Sequence, residues 1–85
     1  MGTWIKANGE TTEVQPKNGT DYSLNELQGF VGGFVEIVRI DDDRIMVVNE
    51  EGKLYGLQVN EKASKLYKHD VIVGDVLVCN SNEVN

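Results

Sequence analysis

Tyr22-Ser23-Leu24-Asn25-Glu26-Leu27-Gln28-Gly29-Phe30-Val31-Gly32-Gly33-Phe34-Val35-Glu36-Ile37-Val38-Arg39-Ile40 opens a stretch, running on to Leu57, from which the fold is read. Ser23 and Glu26 have the spacing of a capping box, in which the serine hydroxyl takes the amide of the third helical residue and the glutamate reaches back to the serine amide. Tyr22 and Leu27 flank that cap as a hydrophobic staple. Leu24, Leu27, Phe30 and Val31 then form one apolar stripe on a helix of about two turns, too short to persist in water without tertiary packing. Gly32-Gly33 closes it, because glycine takes the left-handed cap conformation with no Cβ penalty. Residues 34–40 are β-branched and nearly apolar on both faces, the composition of an interior strand. Asp41-Asp42-Asp43 breaks that strand, and residues 44–48 return as its antiparallel hairpin partner. Asn49-Glu50-Glu51-Gly52 turns the chain again, and residues 53–57 are expected to form the third strand of a meander.

Towards the N-terminus, residues 4–7 and 11–14 flank Asn8-Gly9, the dipeptide suited to a type I′ turn in which both central residues have positive φ. Pro16 ends this first hairpin, and a polar loop leads to the capped helix. Towards the C-terminus, Val59, Ala63, Leu66 and Tyr67 take helical spacing, with Asn60 as N-cap and Glu61 and Lys65 as an i, i+4 ion pair. His69-Asp70 then turns the chain into Val71-Ile72-Val73, Gly74-Asp75 bends it, and residues 76–79 are a last strand. The order β-β-α-β-β-β-α-β predicts one α+β domain over residues 1–79, a twisted antiparallel sheet carrying two short helices on one face. Residues 80–85 are expected to be a frayed polar tail.

The helix followed by Val31-Gly32-Gly33-Phe34-Val35-Glu36, then Val48-Asn49-Glu50-Glu51-Gly52-Lys53-Leu54, Gly56-Leu57-Gln58-Val59-Asn60 and Asp70-Val71-Ile72-Val73-Gly74-Asp75-Val76-Leu77-Val78, resembles a family of small phage and bacterial proteins. That family is known only as the domain of unknown function 3846. The resemblance covers residues 23–78, and its most specific parts are the Gly-Gly-aromatic start of the strand and the Asn-Glu-Glu-Gly-Lys-Leu turn. Where the family usually has Pro-x-Asn after Gly56-Leu57, this chain has Gln58-Val59-Asn60 and lacks the proline's rigid bend. The resemblance implies a source in phage or mobile elements and carries no assigned activity.

The composition bounds the chemistry. A chain of 85 residues makes one domain that buries only about 60–65% of its unfolded surface. Cys79 is the only cysteine, so neither a disulfide framework nor a cysteine-based zinc site is available, and a reducing host cytoplasm fits. No apolar run reaches the roughly 20 residues of a membrane span, and the N-terminus lacks a signal-peptide core. Fourteen acidic against eight basic residues give a formal charge of −6, which argues against direct nucleic-acid binding and suits a basic partner, although solubility alone also accounts for it.

No catalytic constellation emerges. His69 beside Asp70 has the makings of a general base, but no serine or cysteine is placed by motif to use it. Asp41-Asp42-Asp43 lacks the glycine and distal glutamate of a calcium loop. Gly29, Gly32 and Gly33 come at and after a helix C-terminus, the wrong end for phosphate. Neither a cofactor nor a metal is expected, and Trp4 is expected to pack over the edge of the core rather than on a binding face.

Two sets of exposed residues are the candidates. Asp41, Asp42, Asp43, Asn49, Glu50, Glu51 and Tyr55 would form an acidic surface that binds and inhibits a host defence protein with a basic groove. Asn49 also has a simpler role, hydrogen-bonding its own turn. Alternatively Lys53, Gln58, Asn60, Lys62, Lys65 and Lys68 would capture a signalling nucleotide between the subunits of a homo-oligomer.

Overall fold

A computed structural model describes residues 1–84 and holds five strands and two α-helices in the order β1 (Gly2–Ile5), β2 (Thr11–Val14), α1 (Leu24–Val31), β3 (Val35–Arg39), β4 (Arg44–Asn49), α2 (Glu61–Leu66) and β5 (Val76–Asn80). The strands make one antiparallel sheet, ordered β2-β1-β5-β4-β3. The α+β class, the antiparallel sheet and the two short helices are as the sequence predicts.

Helix α1 starts where its cap requires. The Glu26 amide donates to Ser23 Oγ at 3.1 Å and the Ser23 amide donates back to Glu26 Oε1 at 3.0 Å. The amides of Ser23 and Lys17, together satisfied by Glu26, hold its carboxyl below the usual range. Gly32 ends the helix at φ 79°, its amide bound to the Gln28 carbonyl at 2.8 Å. Tyr22 and Leu27 are both buried in one cluster, as a staple should be, whereas Leu24 is 59% exposed and leaves the stripe.

Strands β4 and β5 explain the core. Their residues are apolar at consecutive positions, and a strand alternates its side chains between faces. Ile45, Val47, Leu77 and Cys79 join Tyr22, Leu27 and Val31 beneath α1. Met46, Val48, Val76 and Val78 join Ile5, Ala63 and Ile72 on the other face. The helices therefore cover opposite faces of the sheet, correcting the expectation that both share one.

Four further expectations change. Residues 53–57 form a string of turns instead of a strand, with the Tyr55 amide on the Glu51 carbonyl at 3.0 Å and the Leu57 amide on the Gly52 carbonyl at 3.0 Å. Leu54 and Tyr55 are 78% and 65% exposed, so alternation there buries nothing, and residues 71–73 contribute only the bridge Val59↔Val73. Strand β3 is an edge strand, not an interior one, because β5 inserts between β1 and β4. In the first hairpin only Gly9 has positive φ, at 100°, so the turn closes from the Gly9 amide to the Lys6 carbonyl at 2.9 Å and is not type I′. The tail is folded at least to Glu83. Ser81–Glu83 is a 3₁₀ turn capped by Asn80, the Tyr22 amide donates to the Glu83 carbonyl at 2.8 Å, and the buried Glu83 carboxylate accepts from the Asn80 amide and the Met1 amine.

Burial, with Glu83 nearby, pushes the Tyr22 phenol from 10.0 up to about 12 and the Cys79 thiol from 9.0 up to about 11. The folded state thus favours both neutral forms. Their stabilisation is complete below the unfolded values of 9.0 and 10.0 and is lost as pH rises through the folded values of about 11 and 12. Urea unfolding should show stability falling across that window. A Tyr22→Phe, Cys79→Ala chain should show a flatter profile, and an unchanged slope would contradict the assignment.

Candidate functional site

Two of the candidate residues are consumed by the fold. Asn49 sits at the end of β4, half-buried; its Nδ2 donates to the Val31 carbonyl at 3.2 Å and its Oδ1 accepts from the Glu51 amide at 2.8 Å. It ties the last turn of α1 to the turn after β4. A Cβ at Gly33 would lie 2.9 Å from Asn49 Nδ2, so glycine at that position leaves room for the asparagine side chain. Asn60 is 1% exposed, and its Nδ2 donates to the carbonyls of Ile5 at 3.0 Å and Gly74 at 2.9 Å while its Oδ1 caps α2 at the Ala63 amide, 3.0 Å away. Asn60 thus joins β1, α2 and the bend before β5, and its amide nitrogen has no proton left for a ligand.

The acidic residues lie in two groups. Asp41 accepts from the amides of Asp43 and Arg44 and from Arg44 Nε at 2.9 Å, and the Arg44 contact lowers its carboxyl pKa. Asp42 and Asp43 beside it are exposed, and neither side chain makes a hydrogen bond among the described residues. Exposed Glu50 and half-buried Glu51 stand at the other end of β4, about 20 Å away at roughly 3.4 Å per residue. The chain does not bring them into one patch. Tyr55 stands with Glu51 and Phe34 at a shallow depression over Gly32 and Gly33.

The lysines also separate. Lys53 pairs with Asp70, lowering the Asp70 pKa, and Lys62 Nζ donates to the Gly9 carbonyl at 2.7 Å. Lys65 and Lys68 meet Arg44, Asp41 and His69 around a cleft beside α2, while Gln58 is exposed on the other side of the Asn49 turn, near Leu57 and Gly74. His69 packs edge-on against Tyr67, with ring centroids 5.3 Å apart, and Asp70 turns to Lys53 and the Val71 amide instead. Trp4 is half-buried over Phe30, its Nε1 donating to the Phe30 carbonyl at 3.0 Å and its ring edge-on to the phenyl at 5.3 Å.

The surface residues that sequence reasoning passed over are Glu36, Phe34 and Ile37. Glu36 joins Glu50, Asp70 and Lys53 around a cleft floored by Val38, Val48 and Ile72, with Tyr67 on its wall. Phe34 and Ile37 are 63% and 47% exposed. Their apolar character was legible, but it read as burial because strand order was not. Among the described residues no group of three or more histidine, cysteine or carboxylate side chains is placed to hold a metal ion, and no helix is long and apolar enough to cross a membrane.

No curated protein and no solved structure matches the chain. A family model does match, over residues 5–85. Since that match takes in every strand after the first, both helices, the glycine pair and the Asn49 turn, the chain belongs to the family described as Domain of unknown function (DUF3846).

Proposed function

We propose that this is a non-enzymatic interaction protein of a phage or mobile element, acting in the host cytoplasm, that binds and inhibits a host defence protein by meeting its basic surface. One observation carries this reading. The asparagines, Asp41 and two of the lysines are committed to turns, caps and pairs, whereas Asp42, Asp43 and Glu50 offer exposed carboxylates at both ends of the β3–β4 hairpin. Charges placed so, on a chain of formal charge −6, steer a basic partner and occlude its nucleic-acid path. The resemblance to small phage and bacterial proteins supports the source.

Reversing Asp42, Asp43 and Glu50 together to lysine tests it, since none of the three holds the fold. Host proteins captured on the wild-type chain should be basic, should elute as salt rises, and should be lost by the reversed chain. Equal capture by both chains would end the proposal. A second reading, capture of a signalling nucleotide by a homo-oligomer, is favoured only by the meeting of Arg44, Lys65 and Lys68 at one cleft. Native mass spectrometry of the chain taken from host cells would support it by a bound mass of a few hundred daltons.

A further inference from the structure

Strand β3 has the composition of an interior strand and the position of an edge strand. The opposite edge, β2, is built as edges are, from exposed Thr11, Thr12 and Glu13. At β3 the exposed positions are Glu36, Ile37 and Arg39, with Phe34 exposed just before the strand; the two charges are of opposite sign, and neither a proline nor a bulge blocks pairing. Its outward backbone groups can be identified. The Glu50 amide donates to the Phe34 carbonyl at 2.9 Å and the Ile40 amide to the Arg44 carbonyl at 3.0 Å. Antiparallel ladders alternate, so the even-numbered residues face β4, and Val35, Ile37 and Arg39 turn their N–H and C=O groups outward.

We infer that β3 pairs with β3 of a second copy, antiparallel about a two-fold axis at Ile37. Of the registers that the outward groups allow, this one pairs all three outward residues. Ile37 meets Ile37 of the second copy, and Val35 meets Arg39, so every outward amide faces an outward carbonyl. Val35 packs on the α1 side of the sheet and Val38 and Ile40 on the other, so Ile37 and Arg39 share the α1 side with Val35. In the single chain the exposed Arg39 guanidinium donates to the Asp41 and Asp42 carbonyls of its own turn at 3.3 and 3.1 Å. On pairing, Arg39 of the second copy leaves those carbonyls and reaches across Val35 towards the depression lined by Phe34, Glu51 and Tyr55, where the Glu51 carboxylate complements it. The two-fold axis makes that ion pair twice.

The contact is small, in the range at or below about 1,200 Å² where transient complexes lie, and like charge on the two copies opposes it. The dimer is therefore expected to be weak, forming below about 1 mM, near −4 kcal/mol. The same register sets the Asp41–Asp43 turn of each copy near Glu50 of the other, about 10 Å away at two strand spacings. It would join acidic groups that one chain holds apart. The pairing stands whether or not the partner reading does.

Analytical ultracentrifugation of the full chain over a concentration series tests the pairing. The wild type should pass from monomer to dimer, and amide exchange at Val35, Ile37 and Arg39 should slow as concentration rises while that of Thr11, Thr12 and Glu13 does not. Ile37→Lys should remain monomeric. Arg39→Glu and Glu51→Arg, both on side chains outside the core, should each weaken the dimer about tenfold, or about 1.4 kcal/mol. The chain carrying both reversals should regain it. Circular dichroism would confirm that each variant is folded, with Ile37→Thr in reserve for Ile37→Lys. A wild type monomeric up to about 1 mM, near −4 kcal/mol, would overturn the inference and leave the edge to a strand from another protein. A dimer indifferent to Ile37→Lys, or reversals that fail to rescue each other, would overturn it equally.

Discussion

Asn60→Ala should lower the unfolding free energy by about 3–5 kcal/mol, the sum of a lost helix cap and buried carbonyls left without donors. The residue is 1% exposed and serves the Ile5 and Gly74 carbonyls and the Ala63 amide at once. For a domain of this size, with total stability of about 4–13 kcal/mol, that is a large share. The melting temperature should fall by about 12–40 °C at roughly 4–8 °C per kcal/mol, measured by circular dichroism. Asn60→Asp should do no better at neutral pH, since it keeps the acceptor for Ala63 but loses both donated bonds and buries a charge. A loss below about 1 kcal/mol would show that water takes over the three bonds and that Asn60 does not hold the elements together.

The second large effect is expected from Leu77→Ala. Leu77 is 0% exposed in β5, which lies between β1 and β4, and it packs in the cluster of Tyr22, Leu27, Val31, Ile45 and Val47 under α1. Removing its isobutyl group should cost about 2–5 kcal/mol from lost transfer energy and the cavity left behind. Leu54→Ala supplies the contrast. That side chain is 78% exposed, and its removal should stay within about 0.5 kcal/mol. Similar losses in urea denaturation at the two positions would mean that the core lies elsewhere.

The caps were legible because their chemistry is local. Ser23 with Glu26 fixed the start of α1, Gly32 its end and Asn60 the start of α2, each from residues within a few positions of one another. Asn80 and Glu83 carry the same spacing as Ser23 and Glu26, so the folded tail was legible too, although its polar composition suggested fraying. The unbroken apolar run Val76-Leu77-Val78-Cys79 was likewise a sign of cover on both faces, and so of helices on opposite sides.

Strand order was not legible, because it depends on pairing between residues thirty or more positions apart in sequence. Nothing near residues 34–40 says that β5 will occupy the place beside β4 and leave β3 outermost. Residues 53–57 alternate like a strand, but both sides of β4 are already taken by β3 and β5, and the ladder they would need does not exist. Of the candidate site, residue type identified the exposed acids but not their separation. It marked Asn60 as both a cap and a possible ligand, and only its burial among three elements separates those roles.

Cys79 lies 3% exposed at the centre of the sheet with its thiol held protonated, and it is the only cysteine in the chain. A thiolate-seeking reagent reaches it only when the sheet opens, so the rate of its modification is a clock for that opening. Any molecule that binds the folded chain and not the unfolded one slows the clock in proportion to 1 + [L]/Kd when opening is global and reversible. The buried sulfur thus lets this protein report an unknown ligand, whatever surface that ligand uses, without a label or a substituted residue.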